Sequence, residues 1–191
     1  MGVVLIILRI NKQWLGGNQM DGKARRIALL ETLSAAEEPL TGTWLAKHLG
    51  VSRQIIVSDF AILRAAGHVV YATPQGYVLP VAGISNTLKT TLACKHDRAG
   101  LEEELSIIID NGGKVLDVIV EHSLYGELKA NLMLESRREI KNFLQKLDGG
   151  KAEPLASITS GVHLHTVEVP NEEVLLKIKE ELKEKGILIL S

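Results

Sequence analysis

The stretch TGTWLAKHLGVSRQIIVSDFAILRAAG, residues 41–67, constrains this chain more than any other. Leu45, Ala46 and Leu49 make the apolar stripe of one short helix, and Gly50 with Val51 makes a tight turn. Ser52 offers an N-cap oxygen ahead of a new apolar period, in which Ile56, Phe60 and Leu63 recur at i, i+4 and i+7. The opposite face carries Gln54, Val57, Ser58 and Ala61, with Arg53 at its N-terminal edge. Small side chains let a helix lie close in a major groove, and Arg and Gln are types that bond phosphates or purine edges. An ordinary αα-hairpin is the alternative. The conjunction of small Ala46, the Gly50 turn and the polar face favours a helix-turn-helix. Ser52, Arg53, Gln54, Val57 and Ser58 are therefore the candidate DNA-reading residues.

The flanks extend this unit. Residues 25–36 read as an amphipathic helix on Ile27, Leu30 and Leu33. After Gly67, two short β-rich runs at 69–71 and 77–79 enclose Thr73-Pro74-Gln75-Gly76, which suits a type I turn. Three helices and a hairpin make a winged helix over residues 21–80, whose tip can meet a DNA backbone or minor groove. Trp44 reads as a packing residue, and His48 and His68 as structural or solvated.

Composition narrows the class. Of 191 residues, 46% are hydrophobic and 24% charged, which suits one or two domains with real cores. Aromatic residues are 4% of the chain, so those cores are aliphatic. The net charge of −1 is uneven: residues 81–191 hold 14 basic and 18 acidic groups. A near-neutral DNA-binding chain gains site affinity from dimerisation more than from a basic surface. One cysteine, Cys94, excludes an internal disulfide framework and fits a reducing cytoplasm. The run VVLIIL at 3–8 is too short to span a bilayer and lacks the flanks of a signal peptide. Gly16-Gly17 shortly before Met20 resembles a translated ribosome-binding site, so residues 1–20 read as a non-native leader, or otherwise as a disordered arm.

The pattern changes after Pro80-Val-Ala-Gly83, and residues 84–191 read as a second domain. Strands are expected at 88–95, 114–122, 124–134 and 162–169, with a pairing run at 155–158 and a closing strand at 187–190. Helices are expected at 100–111, 135–147 and, capped by Asn171, up to Lys185. The order β-α-β-β-α-β-α implies a two-layer sandwich, so the fold class is α+β.

Four of six histidines fall in this domain: His96, His122, His163 and His165. In a strand, His163 and His165 point to one face and can converge on one point. Paired imidazoles suit a transition metal such as zinc or nickel, although surface pairs of this kind are often only solvated. Further ligands must come from elsewhere. His96 ends the first strand, and Glu104 lies between Ile107 and Ile108 on the helical wheel. A carboxylate there needs a partner, be it a metal or a salt bridge. His122 is a candidate for effector contact or for support behind the ligands, or it is a plain strand-end histidine. Cys94 shares a strand face with His96, within reach of the site or simply in the core.

These residues resemble a known family. The runs TLACKHDRAGLEEEL, DVIVEHSLYGELKANLMLESRREIKNFL and ITSGVHLHTVEV resemble the three-histidine ("3H") domain, and VSRQIIVSDFAILRAAGHVVYATPQGYVL resembles the winged helix of biotin-repressor-type regulators. Together they are similar to the niacin-responsive transcriptional repressors of bacteria, from about residue 22 onward. The resemblance implies an HPr-like second domain, a homodimer on double-stranded operator DNA, and repression of niacin-uptake or NAD-synthesis genes with nicotinic acid as co-repressor. It implies metal ligation by His96, Glu104, His163 and His165, with nickel or zinc. The rival readings are a metal-responsive regulator and a metal-dependent hydrolase. The second is disfavoured because no nucleophile–base pair or phosphate-cradling loop accompanies the cluster.

Overall fold

A computed structural model describes residues 20–80, 87–150 and 153–189. The expected leader and the start of the expected linker lie outside these residues. The chain divides into two compact units, one up to Val81 and one from Ala82.

In the first unit, α1 is Gly22–Ser34, α2 is Gly42–His48 and α3 is Arg53–Ala65. Each begins where a side-chain oxygen meets a free N–H of the first turn. Asp21 accepts from Ala24, Thr41 from Trp44, and Ser52 from Ile55. Leu29, Leu33, Leu45, Ala46, Ile56, Phe60, Leu63 and Val70 form one core, mostly aliphatic, in which Phe60 stacks on Tyr77. A short hairpin follows, β1 at Tyr71–Ala72 and β2 at Tyr77–Val78, closed by Gly76 N–H on the Thr73 carbonyl at 3.2 Å. The first wing strand thus starts later than its β-rich run. Trp44 departs from its packing role: it is 40% exposed and stacks on His48, with centroids 4.6 Å apart.

Asp59 is the feature the periodicity hid. It sits on α3 inside the apolar arc and is 2% exposed. Arg25 reaches it with Nε at 2.6 Å and Nη2 at 3.2 Å, and Arg26 with Nη1 at 3.3 Å. Two permanent cations from α1 neutralise a buried carboxylate on α3 and fix the angle between the helices.

In the second unit the elements are β3 (Leu88–Lys95), α4 (Leu101–Asp110), β4 (Lys114–His122), β5 (Gly126–Leu134), α5 (Arg137–Gly149), β6 (Val162–Val169) and α6 (Glu172–Glu184). The antiparallel sheet runs β3-β6-β4-β5. Alternate strand residues such as Leu92, Val115, Leu134 and Val167 share a core with Leu105, Ile108, Ile140, Ile178 and Leu182. All three helices therefore pack on one face, as the element order implies. Ser136 caps α5 and Asn171 caps α6.

Two expectations change. Leu155–Thr159 is a 3₁₀ turn and not a pairing strand. β6 lies between β3 and β4, so both of its edges are taken and the preceding run has no ladder to join. The alternation of β4 is broken by a bulge between Val115 and Asp117. The closing segment pairs briefly with β3 at Leu188, and Leu190 lies outside the described residues.

Candidate metal centre and nucleic-acid interface

The DNA-facing candidates stand where the spacing places them. Ser52, Arg53, Gln54, Val57 and Ser58 are all exposed, while Ile56, Phe60 and Leu63 of the same helix are buried. The Ser52 hydroxyl oxygen also accepts the Ile55 N–H at 3.3 Å, which starts α3. Gln54 and Ser58, one turn apart, and Val57 leave a polar, low-relief strip on the outer face of α3.

The second site is built by convergence. β6 sends His163 and His165 to the helix-facing side, where they are 2% and 1% exposed. α4 brings Glu104 beneath them with no exposed surface, and the end of β3 supplies His96. His96 Nε2 lies 2.6 Å from Glu104 Oε2, His163 Nε2 lies 3.2 Å from both carboxylate oxygens, and His165 Nε2 lies 3.3 Å from Oε2. All four sequence-expected ligands meet.

Each imidazole is oriented from behind. The Nδ1 atoms of His96, His163 and His165 lie on the carbonyls of Asp97 at 2.6 Å, Gly161 at 2.9 Å and Asp117 at 2.6 Å. A carbonyl can only accept, so each Nδ1 carries a proton and donates. In the neutral ring, Nε2 then presents a lone pair. The ligand atoms of His96, Glu104 and His163 lie within 4.8 Å of one another, with His165 Nε2 on the same carboxylate oxygen, and lone pairs so placed repel the carboxylate unless a cation lies among them. Protons are one answer. Burial favours the neutral forms, but the charge and hydrogen bonds of Glu104 prevail and raise the pKa values of His96 and His165 above 6.5. Burial likewise favours neutral Glu104, yet the charge of His165 and bonds from all three rings hold it well below the ordinary 4.5.

A metal is the other answer, and the donors fit one. Three imidazoles and a carboxylate are a ligand set for zinc or nickel. Bonds of about 2.1 Å in a tetrahedral shell put ligand atoms about 3.4 Å apart. The His163 and His165 distances to Glu104 are close to that. The His96 contact at 2.6 Å is a direct hydrogen bond, and it must open for an ion to enter.

Two glycines make room for His96. A Cβ on Gly100 would lie 2.8 Å from His96 Cβ, and one on Gly161 would lie 2.1 Å from the His96 carbonyl oxygen. Nothing in the spacing of the histidines announced these neighbours, nor the Asp117 carbonyl that the β4 bulge delivers. Cys94 is buried directly opposite His163 in the β3–β6 ladder, and burial followed by the nearby charge of Glu104 pushes its thiol pKa up.

The cluster forms one wall of a cavity of about 230 Å³. His96, His163 and His165 line it, together with apolar Leu101, Val118, Leu132, Phe143, Leu155 and Ala156 and the polar Arg98, Ser157 and Ser160. A cavity of about 150 Å³ holds benzene, so this one has room for a substituted six-membered ring. His122 stands apart from this cavity: it is not among the lining residues, and its Nδ1 accepts from the N–H groups of Leu124 at 3.1 Å and Tyr125 at 3.3 Å, which holds the β4–β5 turn.

Among the described residues no helix is long and apolar enough to cross a membrane. Residues 25–78 match an HTH domain family, and residues 89–191 match the 3H domain family. The chain is 43% identical over 162 residues to "Probable transcription repressor NiaR" of Thermotoga maritima, covering 85% of this chain and 91% of that one. It is 41% identical over 170 residues to "Transcription repressor NadR" of Bacillus subtilis, covering 88% and 94%. The HTH match coincides with the capped helices and wing of the first unit, and the 3H match with the sheet that carries the histidines. The chain belongs to the family of NiaR- and NadR-type transcription repressors, with an HTH domain followed by a 3H domain.

Proposed function

We propose that this protein is a cytoplasmic, homodimeric repressor of genes for niacin uptake or NAD synthesis, with nicotinic acid as its co-repressor. The carrying observation is the cluster of His96, Glu104, His163 and His165 on the wall of an apolar cavity. The four side chains would hold nickel or zinc. When bound, such an ion supplies a Lewis-acid position that a ring nitrogen or carboxylate can occupy. The apolar lining accepts the flat ring.

The effector acts by its difference in affinity between the arrangement that reads an operator and the one that does not. In the reading arrangement, two copies of α3 enter successive major grooves of double-stranded DNA, about 34 Å apart. A second reading, in which the metal itself is the signal, draws on the same four ligands. One assay separates them: operator binding measured with metal and nicotinic acid added separately and together. Tightening only when both are present supports nicotinic acid as co-repressor. Tightening with metal alone favours the metal-responsive regulator, and no effect of nicotinic acid on metal-replete protein sinks the first reading.

A further inference from the structure

The two edges of the sheet are treated differently. On the β3 side the C-terminal segment covers the strand, with Lys95 N–H on the Ile187 carbonyl and Ile189 N–H on the Ala93 carbonyl, each at 2.8 Å. On the other side, β5 pairs with β4 from Gly126 to Leu134, and no described strand lies beyond it. Beside that open edge the β4–β5 turn projects Leu124 and Tyr125, 75% and 70% exposed. This tip is not frayed. His122 accepts from both of its backbone N–H groups and lies ring to ring with Tyr125 at 4.9 Å. A chain that spends a histidine to hold two large apolar side chains in water has a use for them.

We infer that the β5 edge and the Leu124–Tyr125 tip form the surface on which a second copy of this chain pairs, antiparallel about a two-fold axis at Leu128. The charges select this occupant and this register. Glu127 and Lys129 are both exposed, opposite in sign and two residues apart on one face. Centring on Leu128 sets Glu127 of each copy opposite Lys129 of the other, which makes two ion pairs. Centring one residue earlier sets Glu127 against Glu127, and one residue later sets Lys129 against Lys129, both unfavourable. The chosen register also lays Tyr125 opposite Asn131 and Leu124 opposite Leu132 of the second copy. Small Gly126 and Ala130 face each other there, so the backbones can close. Lys129 already touches Asp117 Oδ2 at 2.6 Å, so a partner's Glu127 completes an acid–base–acid string. A two-fold pairing of identical edges is closed and leaves no free template for further chains.

This surface deepens the reading of a paired regulator, and it is tested without DNA, metal or nicotinic acid. The full-length chain should show twice its monomer mass by light scattering. Directly paired Cα atoms fall within disulfide range, so Leu128→Cys should cross-link most of the protein under mild oxidation, with an exposed Lys177→Cys control staying largely uncross-linked. Glu127→Lys and Lys129→Glu should each weaken self-association by about tenfold or more, and an equimolar mixture of the two should restore it, because the mixed pair has both ion pairs. If Lys129→Glu fails to fold beside Asp117, the cross-link still decides. A monomeric wild-type chain, or a dimer in which Leu128→Cys cross-links no more than the control, overturns the inference. A chain that cross-links at Leu128→Cys yet shows no nicotinic-acid effect on operator binding overturns the effector reading alone.

Discussion

Asp59 in the first unit and Glu104 in the second are both buried carboxylates, and the two are handled in opposite ways. Asp59 is met by Arg25 and Arg26, cations that do not titrate in water. Glu104 is met by three histidines whose other nitrogens are already committed to backbone carbonyls. The first arrangement is complete as it stands, so it holds α1 against α3 and does nothing else. The second lacks a permanent positive charge, and with neutral rings it sets the lone pairs of His96 and His163 against the carboxylate, all within 4.8 Å, with His165 on the same oxygen. A buried acid with arginine partners is a structural joint. A buried acid with histidine partners is the candidate for an exchangeable cation.

This contrast breaks first if the joint is not a joint. Asp59→Ala leaves two guanidiniums without their acid in a largely buried site. It should cost the N-terminal unit about 3–5 kcal/mol, read by urea unfolding with amide exchange in α3. Metal binding should not change. Glu104→Gln is the counterpart. It keeps the shape and removes the charge, so nickel or zinc affinity should fall by more than ~100-fold in calorimetric titration, beyond the range typical of residues one step behind the ligands. A variant that binds metal as the parent does would show that Glu104 is a salt-bridge acid after all. On the DNA side, Gln54→Ala should weaken specific operator binding by about 1–3 kcal/mol if it reads a base, with little loss on random DNA.

The smallest effect is the most diagnostic of the difference. His96 and His165 have pKa values raised by folding, so their contribution to metal-free stability is full below 6.5 and is lost as pH rises through the higher folded values. Glu104 is depressed, so its contribution is present above 4.5 and is lost only as pH falls through its lower folded value. The metal-free C-terminal unit should therefore be most stable between about 4.5 and 6.5 and should weaken above that window. Ligands must shed their protons to take a metal, so the metal-induced rise in Tm should grow from acidic to mildly alkaline pH. Scanning calorimetry with and without metal reads both trends. Equal metal stabilisation across this range would count against the histidines as ligands.

How far the sequence reached differs between the units for a physical reason. In α3 the candidate DNA-reading face is the complement of the apolar face. The 3.6-residue period that marks Ile56, Phe60 and Leu63 as buried also marks Gln54, Val57 and Ser58 as exposed. The strand period did the same for His163 and His165, and the wheel of α4 placed Glu104 in the core. Local periodicity thus determined the helix-turn-helix, the two-layer α+β order and the residues able to serve as ligands. It could not show that 155–158 has no strand partner, because that depends on β6 lying between two others. Nor could it separate His122 from the remaining histidines. All end or occupy strands, but His122 faces its own turn while the rest meet across 8 to 61 residues of chain. Tertiary structure alone decided which groups share one point, which carbonyls fix their tautomers, and that Gly100 and Gly161 leave the space for His96. Distances between segments far apart in sequence arise from packing, and no local pattern encodes them.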